Sequence, residues 1–513
     1  MAFALAALLG ILEFQTVNAI RSLNVDTTSG TVQGFINDLT PDVAQFLGIP
    51  FAEQPVGARR WLPPAPKSKE NEPIDATKFG HACPQFEADA NVSPNVWLTD
   101  APEFIINPQN YQGEDCLSVN VWTPWNESQC SENSTELLPV IAWIYGGGFQ
   151  TGGGTVPYQN PSSWIERSGK HIVVGINYRV NIFGFPNAAG LPLAEQNLGL
   201  LDQRLGVEWI RDNIAKFGGD PNRITLWGQS AGAISVDNYN FAYPEDPIVS
   251  GLIMNSGSSF LPLINTDVEQ TNFTFVAKHF GCGGSDAEAE VECLRGVNTS
   301  AIVRYLKARA DNGTTPSLSF SPIVDDRTNF ANYTARALAS NYTRKPAIIG
   351  TTTNEAIAFL PYNRTYGPSK AAADVLTAQL FLCPVVKTTQ DRYATNTSTY
   401  RFLYGGNFSN IAPQWWEDAY HSSDLPLIFG TYGIARGEGT EFQKEVSEKL
   451  QDYWLAFAED PINGLPTLGW DQYEPTGEAV LIGYQDQVVQ PIKESALEAP
   501  CNGTTPNGSP LPP

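Results

Sequence analysis

The chain has 513 residues, 42% apolar and 17% charged, enough to bury a sizeable core in the ordinary proportions of a globular protein. Its 31 basic against 54 acidic residues leave a net charge of −23. That balance excludes a nucleic-acid or anionic-membrane partner, since both demand basic patches, and the acidity reads as solubility outside the cell.

In chain order, Ala2 to Leu12 is an unbroken apolar run too short to span a bilayer, and Val17-Asn18-Ala19 offers small residues at a signal-peptidase spacing. The pattern predicts a signal peptide over 1–19, although no basic residue precedes Arg21 and Glu13 follows the run closely. One enzyme-sized domain is then expected over 20–500. Residues 20–51 read as short strands and turns, followed by a Pro-rich surface stretch containing Arg59-Arg60-Trp61. Cys83 and Cys116 are a natural loop-closing pair around a polar segment with Trp97, Phe104 and Tyr111. That segment fits a tethered lid over a pocket and fits a plain surface loop equally well. Beyond it, strand-like runs at 117–122, 138–145, 172–177 and 224–227 alternate with helical spacing over 200–214, and 253–256 and 347–350 look like further strands. Alternation of this kind predicts an α/β architecture with a mostly parallel sheet whose ligand site lies at the carboxyl ends of the strands. Residues 272–307, with Cys282 and Cys293 as a second pair, and 369–394 read as helical insertions; 501–513 read as a flexible tail. No segment after the N-terminus is expected to be long and apolar enough to cross a membrane.

Thirteen Asn-x-Ser/Thr sequons, at Asn91, Asn126, Asn133, Asn272, Asn298, Asn312, Asn332, Asn341, Asn363, Asn396, Asn407, Asn502 and Asn507, predict a glycosylated, secreted chain. Seven cysteines leave one of Cys130, Cys383 and Cys501 unpaired. With no Cys-x-x-Cys or His-x-x-x-His spacing, no metal site is expected, and no cofactor.

The chemistry is carried by Gly228-Gln229-Ser230-Ala231-Gly232, set between the apolar run 224–227 and a helical one. A strand, a Gly-x-Ser-x-Gly turn and a helix form an elbow that exposes a serine beside the positive end of the helix. A serine hydroxyl needs a base, and of the four histidines only His421 lies far enough downstream to leave room for an intervening acid in the order serine, acid, histidine. Glu355, just past the strand 348–350, is the preferred acid; Asp325 and Asp326 are rivals, and Asp424 is set aside as too near His421 in sequence. Gly146-Gly147-Gly148, after the run 143–145, offers bare N–H groups that could join that of Ala231 in holding an oxyanion.

Across nearly the whole mature chain these residues resemble the type-B carboxylesterases and lipases, the family of cholinesterases and fungal lipases. Glu114 to Trp122 is similar to one family signature and Phe217 to Gly232 to the nucleophile signature; Asn177-Tyr178-Arg179-Val180 and Asn197 to Gln203 match intervening stretches. The resemblance implies an α/β-hydrolase fold and a Ser230, Glu355, His421 triad. It also implies oxyanion donors at Gly147, Gly148 and Ala231, a supporting hydrogen bond from Ser256, and disulfides Cys83 to Cys116 and Cys282 to Cys293. Gln229 stands where glutamate is commoner and Ala356 where glycine is usual. Trp97 lacks the flanking motif of the cholinesterases' choline-binding tryptophan, which argues against a cholinesterase. The expected activity is hydrolysis of a small-molecule or lipid ester by a secreted enzyme. The alternatives are a long-chain lipase, a biosynthetic acyl-transfer enzyme and, from another class, a non-catalytic binding module.

Overall fold

The computed structural model describes residues 22–87, 89–90, 95–106, 112–125, 137–284 and 286–502. The expected signal peptide, Tyr111, Cys130, Asn91, Asn126, Asn133 and Asn507 lie outside these residues. A small sheet of β1 (Asn24–Thr27), β2 (Gly30–Gln33) and β5 (Ile74–Asp75) sits beside an 11-stranded sheet. The large sheet comprises β3 (Phe35–Asn37), β4 (Thr40–Pro50), β6 (Ser118–Pro124), β7 (Leu138–Ile144), β8 (Ile172–Ile176), β9 (Gly219–Gln229), β10 (Gly251–Asn255), β11 (Ala347–Thr352), β12 (Thr399–Tyr404), β13 (Glu478–Tyr484) and β14 (Gln487–Lys493).

Its order is β14-β13-β12-β11-β10-β9-β7-β8-β6-β4-β3. The run from β8 to β13 is parallel, and antiparallel strands finish both edges. This is the mostly parallel α/β-hydrolase sheet that the sequence predicts. The central strands are buried on both faces, which is why they read as continuous Val, Ile and Leu runs. Helices Leu198–Asn213, Ala231–Ala242 and Glu441–Glu459 pack against the sheet. An aromatic stack ties the layers together: Trp143 and Trp227, register partners on β7 and β9, have ring centroids 4.2 Å apart, and Phe429 stacks on Trp227 at 4.9 Å.

The 272–307 insertion is helical as expected, as Thr271–His279, Ala287–Arg295 and Thr299–Asp311, and the Cys282–Cys293 disulfide pins it. Two expectations need correction. The tail does not begin at 501, because Cys501 is bonded to Cys383 and 499–502 form a helical turn. The helix spanning Lys370–Tyr393 is, with mean hydropathy 1.3, long and apolar enough to cross a membrane, contrary to the sequence reading. Its apolarity has a local use: the part from Cys383 to Tyr393 buries Val385, Val386 and Thr389 and packs on β11 and β12.

Candidate active site

Register brings the functional segments together. Gln229 of β9 lies opposite Asn255 of β10, which lies opposite Gly350 of β11, and Ile144 of β7 lies opposite Gly228. The carboxyl ends of four neighbouring strands therefore run out on one edge, and each leads at once into a candidate residue: Gly146 to Gly148, Ser230, Ser256 and Glu355.

Ser230 sits at the elbow with φ 57° and ψ −123°, conformational strain that a non-glycine residue accepts only where its surroundings enforce it. They do so through Ser230 N–H, which donates to Asn255 O at 2.9 Å, and through Gly232, where a Cβ would stand 2.1 Å from Ile144 O. The helix Ala231–Ala242 then starts directly behind the hydroxyl. Glu355 is wholly buried, with Oε1 accepting from Thr352 N at 2.7 Å and Oε2 lying 2.5 Å from His421 Nδ1. A carboxylate only accepts, so Nδ1 carries the imidazole proton and Nε2 presents a lone pair. That lone pair is 3.0 Å from Gln229 Nε2. Ser230 Oγ makes no hydrogen bond among the described residues.

The glycine loop is shaped for backbone exposure. Gly147 has φ +110°, and a Cβ there would lie 2.3 Å from Thr151 O. Gln150 N and Thr151 N both donate to Gly147 O, which curls the loop and leaves the N–H groups of Gly147 and Gly148 uncommitted among the described residues. Gln85 clamps this loop to the first disulfide loop by donating to Cys83 O and Gly152 O and accepting from Gly152 N.

Ser230, His421, Gln229 and the three glycines line one cavity of about 570 Å³. Most of its wall is aromatic or aliphatic, including Trp97, Phe104, Tyr158, Leu261, Phe359 and Phe381. The Cys83–Cys116 disulfide forms as expected, and its loop folds over the cavity rather than standing off as a plain surface loop. Trp97 reaches the site because Asn95 caps the short helix Val96–Asp100, and its ring lies 4.8 Å from Phe359. Phe381 enters from a π-helical turn at Thr377–Leu382.

Asp325 and the other three histidines are engaged elsewhere. Asp325 Oδ1 accepts from the N–H groups of Arg327, Thr328 and Asn329, closing its own turn. His81 pairs with Asp115, His171 is buried against Trp164 and His279 stacks on Tyr305. Ser256 is at the right strand end, but its buried hydroxyl has no hydrogen-bond partner among the described residues, so the supporting bond expected of it is not seen there. Asn272 is also corrected as a glycan acceptor, because it is buried and its amide donates to Ser319 O. Asn298, Asn312, Asn332, Asn341, Asn363, Asn396, Asn407 and Asn502 are exposed. Six of the seven cysteines pair, Cys383 with Cys501 among them, and Cys130 lies outside the described residues.

Sequence reasoning missed a buried polar chain behind Ser230 and His421. Asn255 accepts from Trp227 Nε1 at 3.0 Å and donates to Asp424 Oδ2 at 2.7 Å, while its carbonyl holds Ser230 N. Burial, with Glu355 nearby, pushes the Asp424 carboxyl up to about 6 against the lowering effect of the Asn255 bond. The matched stretches prove to be braces: Arg179 forms a buried bidentate pair with Asp202, and Tyr178 and Tyr145 exchange hydroxyl-to-carbonyl bonds under the glycine loop. No group of His, Cys, Asp and Glu suited to a metal occurs among the described residues.

Comparison with known proteins agrees with this architecture. The profile of the carboxylesterase family matches residues 21–367 and 363–499. Chlorogenic acid esterase of Aspergillus niger is 44% identical over 442 residues, 86% of this chain and 83% of that protein. Secreted lipase 5 of Gibberella zeae is 41% identical over 480 residues, 89% of each. Acetylcholinesterase of Bungarus fasciatus is 28% identical over 489 residues, 85% of this chain and 78% of that protein.

Proposed function

The chain belongs to the carboxylesterase family of ester hydrolases, and from that premise we propose that it is a secreted serine esterase working through Ser230, His421 and Glu355. The observation that carries the reading is the 2.5 Å contact from His421 Nδ1 to a fully buried Glu355, which leaves the imidazole lone pair facing the cavity that Ser230 also lines. Ser230 Oγ attacks the ester carbonyl as His421 Nε2 takes its proton; Glu355 fixes the tautomer and stabilises the imidazolium. The N–H groups of Gly147, Gly148 and Ala231 hold the oxygen as it becomes an alkoxide, and the elbow helix adds its dipole. His421 returns the proton to the leaving alcohol, and water, activated by the same imidazole, releases the acid. No step asks for a metal or an organic cofactor.

The apolar, aromatic cavity supports esters with an apolar or aromatic acyl group. A second reading, a lipase on long-chain acylglycerols, is favoured by the secreted lipase relative and by the loop over the cavity. Secretion is supported by that relative and by the three disulfides. The test is turnover of p-nitrophenyl esters across chain lengths by the unsubstituted protein and Ser230→Ala. Serine-dependent turnover of dissolved short and aromatic esters is expected; its absence on every ester refutes the assignment, and activity confined to a lipid surface selects the lipase.

A further inference from the structure

Gln229 precedes the nucleophile and plays no part in the steps above, yet its carboxamide is the group that meets the base. In the neutral ring Nδ1 carries the proton, so the Nε2 lone pair must find a donor, and Gln229 Nε2 stands there at 3.0 Å. The Ser230 hydroxyl makes no competing bond. We infer that Gln229 is a positioning residue which holds the imidazole of His421 by donating to its Nε2 in the resting enzyme and turns its amide over, presenting Oε1, when that nitrogen becomes protonated.

The inference rests on the reading of His421 as base. Its chemistry follows from the amide group. When the proton leaves Ser230 Oγ for Nε2, an amide NH2 facing the new N–H would oppose donor to donor, and a half-turn about the terminal torsion replaces it with an acceptor. Gln229 Oε1 has no hydrogen bond among the described residues and lies near Gly146, whose lack of a side chain leaves it room: a Cβ at Gly146 would stand 2.7 Å from that oxygen. A carboxamide serves both protonation states of the ring. A glutamate would accept only and would favour the charged ring throughout; a methionine of equal length would do neither. The charged groups facing His421 are Glu355 across Nδ1 and Asp424, three residues on; Trp97, Phe359 and Phe381, with ring centroids within 6.0 Å, carry no charge.

The test compares Gln229→Glu and Gln229→Met with the unsubstituted protein in two readouts. One is the acid limb of kcat/KM against pH on a short p-nitrophenyl ester. The other is the titration midpoint of the His421 Cε1 proton in 13C-histidine-labelled protein carrying Ser230→Ala, assigned by loss of the signal in a His421→Gln variant. Gln229→Glu should raise both midpoints by about 1 to 2 pH units, as an acquired opposite charge does. Gln229→Met should leave the acid limb unraised while lowering kcat about tenfold at constant KM, as loss of an orienting bond does. A Gln229→Glu midpoint within about 0.3 pH unit of the parent, or an equal rise in Gln229→Met, overturns the inference. The titration needs no turnover, so failure of the hydrolase reading, seen as Ser230-independent activity, stays distinguishable. Should Gln229→Glu not fold, unchanged kcat in Gln229→Met is itself sufficient to overturn it.

Discussion

Replacing Glu355 by glutamine changes one atom in a buried pocket, and the geometry fixes what that atom does. Glu355 Oε1 accepts from the Thr352 N–H at 2.7 Å, a buried donor whose loss of partner would cost about 1 to 3 kcal/mol. The substituted side chain therefore keeps its carbonyl on Thr352 and turns its NH2 toward His421 Nδ1, 2.5 Å away in the parent. Two donors cannot share that gap, so the imidazole proton moves to Nε2 and the lone pair faces away from Ser230. The base is then in the wrong tautomer, and the imidazolium loses its counter-charge as well. A tautomer error of this kind in a serine hydrolase lowers kcat about 10⁴-fold, roughly 5 kcal/mol of activation free energy. KM should change little, because Glu355 is fully buried and does not line the cavity. The assay is steady-state hydrolysis of p-nitrophenyl acetate by the parent, Glu355→Gln and Ser230→Ala, with thermal unfolding as a control on the fold. A kcat within tenfold of the parent refutes the argument. Restored activity that vanishes in a Glu355→Gln, Asp424→Asn double variant would instead show that the second buried carboxyl had taken over.

Three further outcomes follow from the structure. Gly147→Ala places a methyl 2.3 Å from Thr151 O on a backbone with φ +110°, so the loop must shift; kcat on the same ester should fall about 100-fold or more, and the melting temperature should drop as well. Glu494 is buried, and burial pushes its carboxyl up to about 7 from 4.5, the chief opposing influence being Arg401. A raised folded-state pKa contributes stability that is present below the unfolded value and lost as pH rises through about 7. Hence the protein should unfold at lower temperature at pH 8 than at pH 5, and Glu494→Gln should recover up to about 3 kcal/mol at pH 8 and almost none at pH 4, read by calorimetry at both pH values. The Cys383–Cys501 disulfide spans 118 residues, so a Cys383→Ala, Cys501→Ala variant should lose at most about 5 kcal/mol in denaturant melts while keeping kcat, since the bond fastens the last turn rather than the cavity.

Much of the candidate site was legible before any fold was known, because its parts are local in sequence. The elbow is a pentapeptide between a strand run and a helix run, the glycine loop follows an apolar strand, and only four histidines had to be sorted. Strand after strand was also readable, since central parallel strands are apolar on both faces. Strands β12 to β14 were not read: Thr399 and Arg401 break the apolar run of the buried β12, and the true edge strand, β14, is exposed or half-buried throughout with polar residues along it.

What the sequence by itself determined is therefore the inventory: a serine in a strained turn, one eligible base, a short list of acids and two disulfides. Tertiary structure decided how that inventory meets. The parallel register of β9, β10 and β11 brings strand ends more than a hundred residues apart onto one edge, and Glu355, already preferred on sequence, lies there against His421. Asp325 instead closes its own turn. Packing likewise left the Ser256 hydroxyl without a partner among the described residues, buried Asn272 against Ser319 and set Gln229 against His421. Side chains carried by separate elements meet through packing, and no local pattern encodes packing between positions so distant in the chain.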